Sequence, residues 1–415
     1  MWFKKILVKI NSIYSYDQGI SKNFPNFYSL NFKFLFLRTV EIVLALPISL
    51  LLGTFFLLTS SHKKTKIIVL RQYRPSFASQ YIAMVEPLQR LTRNCQDKSV
   101  RLILVNPGET FNKELQNEAD DAFWMHLDDR QPFMRIVVFL IPRLFIDKQK
   151  VSAGTFIYSN SWDLPPKCLY RNPPEKISQM GLEPFNFVCF AHPSRRYYQL
   201  KGISELVSTT RFVNLSNYQV PFEHIQKLGL HIVRVGRETD DMPESFSKLS
   251  IFDFSRSEYS ESDELWLYSN CNFFLSIAGN GAWWFSKKFG RPSLVTDGYE
   301  FFDGHKSTFQ SQQVIWDSRS DSFLKFKQLL TLKEFDLRSP EEGKGFKTIP
   351  NSPRLLVEAI DEIYEFVKHG HSYTHEEEAL LRTWDLLTNE IGLPKRQKNW
   401  TRPSIAFLKT YKDLF

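Results

Sequence analysis

Cysteine pairs and a glycine-rich dinucleotide signature are missing from this 415-residue sequence. The four cysteines are far apart and form no C-x-x-C pair, which argues against a zinc site and against a secreted disulfide framework. No G-x-G-x-x-G follows the first predicted strand, where RPSFAS stands instead, so an enzyme that binds a dinucleotide is disfavoured. Internal repeats and low-complexity tracts are also lacking. With 43% hydrophobic and 24% charged residues, the composition is globular and excludes a disordered chain.

The body of the chain has little excess of positive charge. The formal net charge is +8, but residues 1–66 hold nine basic and two acidic side chains, so the other 349 residues carry only +1. A nucleic-acid surface needs a broad basic excess, so we expect no nucleic-acid partner. The N-terminal surplus flanks an apolar run, where anionic lipid headgroups would attract it.

That apolar run covers 17 residues, from Ile42 to Leu58, and contains no charge. About 20 residues are needed to cross a bilayer upright, and this run also contains Pro47 and Gly53. Three interpretations stay open: a single span, a re-entrant or in-plane anchor, and a buried soluble helix. Basic residues follow the run directly, so we expect the body on the cytoplasmic face of the inner (plasma) membrane. We expect residues 34–66 to contact lipid.

Apolar runs rich in β-branched residues alternate with helical spacing through the body. The first runs are Lys66 to Tyr73 and Val100 to Gly108, and residues 111–127 have helical spacing. After a segment rich in Pro, Ser and Asn at 159–184, the alternation restarts with Phe185 to Pro193. Buried strands that alternate with helices imply parallel sheets. The sequence therefore predicts an α/β protein with two Rossmann-like domains and a ligand at the carboxyl ends of the second domain's strands.

Helix signals place the remaining elements. Residues 218–228 have helical spacing, and Ser260 is a candidate N-cap for a helix over 261–270, with Asp263 in its first turn. From Ser352 to Ile391 the chain reads as two helices broken near residues 369–371. The predicted organisation is an anchoring segment, two Rossmann-like domains and a helical extension. Their bounds are residues 1–63, 64–180, 181–345 and 346–415.

The order of elements between residues 185 and 300 carries a resemblance to a known family. A strand ends in an arginine-bearing turn (FVCFAHPSRRYY), and a later strand ends in R-x-G at Arg234–Gly236. An Asp–aromatic pair (Asp253–Phe254), the S-x-x-D start of a helix and a strand ending in the turn SIAGNG follow. In this order the segment resembles a family of bacterial glycosyltransferases of GT-B type, distantly related to the protein O-fucosyltransferases.

The resemblance implies an inverting, metal-independent, hexosyltransferase-like enzyme. It would move a sugar from a nucleotide-sugar donor to a surface-polysaccharide or lipid-linked glycan acceptor, with residues 64–180 on the acceptor side and 181–345 on the donor side. No metal or other cofactor is expected. The turn AHPSRR departs from the family's His-x-Arg-like start. This departure keeps a second hypothesis open, a non-catalytic scaffold or binding component of a glycan assembly complex.

A sugar transferase must hold a diphosphate and stabilise it as it leaves, which fixed cations and the N–H groups of a helix N-terminus can do. The glycine turn in SIAGNG fits either a phosphate nest or a plain turn. Arginines at strand ends fit either planar recognition of phosphate or a surface salt bridge. The candidate donor-binding residues are Arg195, Arg234, Arg237, Gly279, Asn280, Gly281 and Glu300.

The acceptor hydroxyl must lose its proton as it attacks C1 of the sugar. His192 follows a predicted strand and has a side chain that titrates near neutral pH, so it is a candidate base, with a structural histidine as the alternative. Asp253 is the rival base, and its alternatives are a turn cap or a partner for Arg234. Asp297 and Glu300 are candidates for binding sugar or ribose hydroxyls, although Asp297 alternatively forms only a turn.

Two acidic pairs, Asp128–Asp129 and Asp240–Asp241, resemble the metal-binding pairs of the other sugar-transferase fold. Each lies in a polar, loop-like context with no supporting pattern. A solvated acidic face is the preferred interpretation of both pairs.

Overall fold

The structure is a computed structural model that separates the chain into two compact units, Met1–Leu164 and Pro165–Phe415. It describes residues 66–71, 100–106, 125–128, 172–196, 213–236, 239–256, 259–278, 289–298, 308–331, 345–390 and 402–415, with isolated positions 47, 51, 282, 285 and 288. Apart from Pro47 and Leu51, the apolar run lies outside these residues. In the part of the chain so described, no helix is both long and apolar enough to span a membrane.

The described part of the first unit is a parallel sheet. Its strands are β1 (Lys66–Arg71), β2 (Val100–Asn106) and β3 (Met125–Asp128), in the order β1-β2-β3. The first two strands confirm the sequence prediction. The helix predicted over 111–127 is wrong at its end, because residues from Met125 onward pair with β2, for example Leu104 with His126. Pairing with a neighbouring strand has overridden the local helical spacing.

The second unit contains the longer run of elements. The helices are α1 (Glu175–Gln179), α2 (Gln219–Lys227), α3 (Glu261–Asn270), α4 (Phe326–Thr331), α5 (Pro353–His369), α6 (His375–Glu390) and α7 (Ile405–Thr410). The strands are β4 (Phe187–Ala191), β5 (His231–Arg234), β6 (Ile251–Asp253), β7 (Phe274–Ile277), β8 (Ser293–Thr296), β9 (Thr308–Ser311), β10 (Val314–Asp317), β11 (Ser322–Phe323) and β12 (Phe346–Ile349).

Six parallel strands form the main sheet, in the order β6-β5-β4-β7-β8-β9. Numbered within this sheet, the order is 3-2-1-4-5-6, which is that of a Rossmann-like domain. The predicted α/β class with a parallel sheet is therefore confirmed for this unit. The chain reverses its direction of winding between β4 and β7, where Phe190 pairs with Leu275.

Helices cover both faces of this sheet, which is why the central strand β4 is apolar throughout. Side chains of β4 alternate: Val188 and Phe190 pack in one cluster with residues of α2 and α5. On the opposite face, Phe187 stacks on Trp266 of α3, with ring centroids 5.7 Å apart. Burying both faces of every central strand supplies the main hydrophobic stabilisation of the unit.

The predicted helix over 261–270 is confirmed together with its cap. The Ser260 hydroxyl accepts the Asp263 N–H at 3.1 Å, and the Asp263 carboxylate accepts the Ser260 N–H at 2.8 Å. This capping box satisfies two N–H groups that a helix end leaves without partners. Helix α2 and the helix pair α5 and α6 also match their predictions, and Gly370, with φ +76°, ends α5 at the predicted break.

The extension predicted as helical contains strand structure as well. Strand β12 belongs to a three-stranded antiparallel sheet, β11-β10-β12, which the sequence did not predict. Residues 402–404 run beside β9 at the sheet edge: the Gln310 N–H donates to the Arg402 carbonyl at 2.9 Å, and the Ser404 N–H donates to the Gln310 carbonyl at 2.8 Å. The C-terminal segment thereby pairs the edge strand.

A buried carboxyl holds this C-terminal segment against α5. The Glu362 Oε2 accepts the N–H of Ile405, the first residue of α7, at 2.6 Å. Burial raises the pKa of Glu362 to about 7, and the Ile405 N–H and the charge of Arg402 lower it only in part. The neutral form of Glu362 is therefore favoured by the fold.

We expect Glu362→Gln to stabilise the protein above neutral pH. The folded pKa lies above the ordinary value of 4.5, so the stability that Glu362 contributes is complete below that value and is lost as the pH rises through about 7. The variant lacks this loss, so its gain over the wild type should be about 3 kcal/mol at pH 8 and near zero at pH 4.5, measured by urea unfolding.

Glu358→Gln on the same helix is the matched control, because Glu358 pairs with Arg354 at the surface. Its difference from the wild type should not change with pH over this range. An equal pH dependence in the two variants would contradict the assignment to Glu362.

Candidate functional site

The carboxyl ends of β4 and β7 form the crevice where ligands bind in open sheets of this order. Ala191, the last residue of β4, pairs with Ser276, one residue before the end of β7. His192 therefore follows β4 at the same edge of the sheet at which Ala278 follows β7. Parallel pairing alone has brought two of the predicted turns to one place.

The backbone at this edge adopts a conformation that L-residues rarely use. Ala278, after β7, has φ +53°, and Asp297, after β8, has φ +51°. The Ala278 N–H donates to the Thr296 carbonyl at 2.7 Å, and the Asp297 N–H donates to the Ser311 carbonyl at 2.8 Å. Left-handed non-glycine residues cost about 1–3 kcal/mol each and concentrate at functional sites. Hydrogen bonds between neighbouring strand ends hold both residues in place.

His192 has a buried ring nitrogen at this crevice. Its Nδ1 has no hydrogen-bond partner among the residues that the structure describes. The pKa of His192 is lowered from 6.5 to about 4, first by burial and then by the charge of Arg234, while the charge of Asp240 opposes the shift. The imidazole is therefore neutral at physiological pH and keeps one nitrogen available for a ligand.

Arg234 lies inside the protein and not on the crevice surface. Its side chain is 1% exposed, its Nη1 donates to the Asp253 Oδ2 at 3.3 Å, and its Nη2 donates to the Asp240 carbonyl at 2.8 Å. Asp253 also accepts the Ser255 N–H at 3.1 Å and the Ser255 hydroxyl. The structure thus shows one alternative considered for Asp253, a partner for Arg234, whereas the salt bridge of Arg234 is buried and not at the surface as its alternative had it. Their roles in donor binding and catalysis stay predictions.

The carboxylate of Asp240 binds the turn that follows His192. It accepts the Arg195 N–H at 2.9 Å, the Arg196 N–H at 3.2 Å and the Ser194 hydroxyl at 3.3 Å. The carboxylate of Asp240 thus forms three hydrogen bonds with this turn. The interpretation of a solvated acidic face is therefore wrong for Asp240. Nothing in the sequence indicated this contact, because 45 residues separate the partners.

The predicted residues are brought together only in part. Arg195 is exposed in the turn beyond His192, where its predicted role in donor binding stays a prediction. Five donor-binding candidates lie outside the described residues: Arg237, Gly279, Asn280, Gly281 and Glu300. In the ranges that the structure describes, no group of three or more His, Cys, Asp or Glu side chains is placed to hold a metal ion.

A buried polar network beside the crevice was not predicted in this form. The Asp297 Oδ2 accepts the Tyr218 hydroxyl at 2.5 Å, and the Oδ1 accepts the N–H and the Nδ2 of Asn351 at 2.7 and 2.8 Å. Burial raises the pKa of Asp297 to about 6, although the bonds from Asn351 and Tyr218 lower it. The Tyr218 oxygen also lies 2.7 Å from the Thr296 Oγ1. Asp297 therefore ties the end of β8 to the chain before α2 and before α5.

No protein-family model matches the chain, and no curated protein matches it. Three sugar transferases are among the solved structures it resembles. The E. coli heptosyltransferase WaaC with ADP aligns at 10% identity and a TM-score of 0.36, covering 59% of this chain and 90% of that one. The iron-containing dodecameric glycosyltransferase TibC of enterotoxigenic E. coli aligns at 12% and 0.30, covering 56% and 58%. The kitacinnamycin glycosyltransferase aligns at 8% and 0.26, covering 90% and 82%. A shared fold does not show a shared activity, which depends on the residues of the site.

We expect Tyr218→Phe to destabilise the protein by about 1–3 kcal/mol, because it leaves a buried carboxylate oxygen of Asp297 without its hydroxyl donor. Urea unfolding at pH 7 measures the loss. Tyr364→Phe is the matched control: this hydroxyl donates to the Leu228 carbonyl at 3.3 Å in a half-buried place, so its removal should cost less than about 1 kcal/mol. Equal losses would show that the Asp297 network adds nothing specific.

Proposed function

We propose that this chain is a glycosyltransferase that binds a nucleotide-sugar donor at the carboxyl ends of β4 and β7. The observation that carries the proposal is His192: a neutral imidazole with a buried Nδ1 that has no partner among the described residues, placed where β4 ends at the reversal of a 3-2-1-4-5-6 sheet. Buried polar atoms are nearly always bonded, so such a nitrogen at a ligand crevice indicates a ligand-binding role.

In the proposed reaction, an acceptor hydroxyl attacks C1 of the sugar, and the bond from C1 to the diphosphate breaks. His192 accepts the hydroxyl proton, and the nucleoside diphosphate leaves with the bonding electrons. A base whose pKa is about 4 is unprotonated at neutral pH and can therefore accept the proton. The low pKa also makes it a weaker base, so the driving force for proton transfer is smaller. Asp253 is the weaker candidate, because its carboxylate is already bonded to Arg234 and Ser255.

The diphosphate would bind the glycine turn after β7, at Gly279, Asn280 and Gly281, with Arg195 as the exposed cation of the neighbouring turn. The left-handed Ala278, the last described residue before these three, supports this placement, because such backbone conformations concentrate at functional sites. Arg237 and Glu300 belong to the same proposal, as further contacts to phosphate and to sugar or ribose hydroxyls.

The finer features of the enzyme are also proposals. We propose an inverting, metal-independent, hexosyltransferase-like reaction on a surface-polysaccharide or lipid-linked glycan acceptor. We place it on the cytoplasmic face of the inner membrane, with lipid contact through residues 34–66. Activity that persists in EDTA and co-sedimentation with anionic vesicles would support these two features separately.

A second candidate function, a non-catalytic scaffold or binding component of a glycan assembly complex, is favoured by one observation. Arg234 was predicted from the sequence as a ligand for the diphosphate, but its charge is paired with Asp253 inside the protein. A site with fewer cations at the crevice binds a pyrophosphate less strongly. Binding of nucleoside diphosphates therefore separates the two functions.

We expect ADP, UDP or GDP to raise the melting temperature of the full chain, because a ligand that binds only the folded state stabilises it. His192→Gln should retain this shift but lower kcat for transfer from a radiolabelled nucleotide sugar by about 10²–10⁴-fold, as expected for loss of a general base. His231→Gln is the matched control, because His231 is an exposed residue at the opposite, amino end of β5. It should change neither property.

No melting shift with any of the three nucleotides would favour the scaffold. Wild-type rates from the His192 variant would remove the histidine from the mechanism while leaving donor binding intact.

A further inference from the structure

Arg234 bridges two segments next to the crevice. It ends β5, pairs in register with Asp253 at the end of β6, and is bonded to the carboxylate of that residue. Its second nitrogen reaches the carbonyl of Asp240, six residues further along the chain. A guanidinium offers its donors in a fixed fork, so both partners are held in one geometry. With 1% exposure, the fork faces the protein interior.

Asp240 connects Arg234 to the turn after His192 through a second set of hydrogen bonds. Its two carboxylate oxygens accept the backbone N–H groups of Arg195 and Arg196 and the hydroxyl of Ser194. Asp240 thus accepts a hydrogen bond from Arg234 at its carbonyl, and its carboxylate accepts hydrogen bonds from the turn. A side chain that bonds successive N–H groups fixes the local backbone as a cap does.

We infer that Arg234 is a positioning residue and not a ligand of the donor: with Asp253 as its counter-charge, it holds Asp240, which in turn fixes the orientation of the His192 turn. The inference rests on the proposed function only in giving His192 a catalytic task. Arg234 then does not contact the phosphate of the donor. It acts on His192 through Asp240.

The charges of this arrangement act on His192 with opposite signs. The guanidinium of Arg234 lowers the pKa of His192, in addition to burial, and the carboxylate of Asp240 raises it. Asp253 faces Arg234 and partly neutralises its charge. These are the charged groups that the described residues place around the imidazole. A role of Arg234 as a phosphate ligand alone would not explain its bonds to the Asp253 carboxylate and to the Asp240 carbonyl.

The test follows the His192 imidazole by NMR in the full chain without any substrate, with its signal assigned as the one missing in His192→Gln. In Arg234→Met the pKa should rise from about 4 yet stay below 6.5, because burial remains. In Asp240→Asn it should fall. Arg319→Met is the matched control, since Arg319 forms an exposed pair with Asp317 on β10, and it should change nothing.

A second readout is amide hydrogen exchange at Arg195 and Arg196. It should accelerate in Asp240→Asn and also in Arg234→Lys, which retains a positive charge but not the two-armed bridge. If Arg234 variants abolish the nucleotide melting shift while the His192 pKa and both amides stay unchanged, Arg234 is a phosphate ligand and the inference is overturned.

If Arg234→Met does not fold, Asp240→Asn decides alone: an unchanged His192 pKa and unchanged amide exchange overturn the inference. Because neither readout uses a nucleotide, a lack of nucleotide binding would end the proposed transferase function without affecting this result.

Discussion

The hydrogen-bonded contact between β4 and β7 is the constraint on which the site depends. These strands are neighbours in the sheet although four of the described elements, α2, β5, β6 and α3, come between them in the chain. Their pairing reverses the direction of winding and leaves a crevice at the carboxyl edge, because the connecting segments depart to opposite sides. The turns at His192 and Ala278 meet there for that reason. A shift in this register would separate them, whatever their side chains.

The second constraint is that charges near a doubly covered sheet must find partners inside the protein. Burying an unpaired charge costs far more than burying an apolar group, so each buried ionisable side chain here is bonded or neutralised. Arg234 is bonded to Asp253, whereas Asp297 receives a hydroxyl and an amide. Glu362 and Asp297 have raised pKa values, and His192 has a lowered one. Desolvation is the largest cause in all three, so the fold prefers the neutral forms.

Continuous apolar runs made the central strands predictable, and a serine with an aspartate three residues later made α3 predictable to the residue. The strands beyond β8 were missed for a physical reason. Thr308, Gln310 and Ser311 of β9 are polar yet buried, because the chain at 402–404 pairs with that strand and shields it. A periodicity of apolar residues cannot show a strand whose burial is supplied by a segment about ninety residues away.

The same limit explains which features of the candidate site could be predicted from the sequence. The place of His192 at the carboxyl edge was predictable, because the edge at which a residue of a parallel sheet lies follows from the order of the elements alone. Whether a charged residue at that edge faces a ligand or the interior depends on its partners, and here the partners of Arg234 belong to other segments: the carboxylate of Asp253 at the end of β6, and the carbonyl of Asp240 after β5. A buried guanidinium needs a partner of opposite charge. Asp253 lies opposite Arg234 in register and supplies that charge, so Arg234 is stable in the interior. Charge at a predicted crevice is therefore evidence for ligand binding only after the charges on neighbouring strands have been paired with one another.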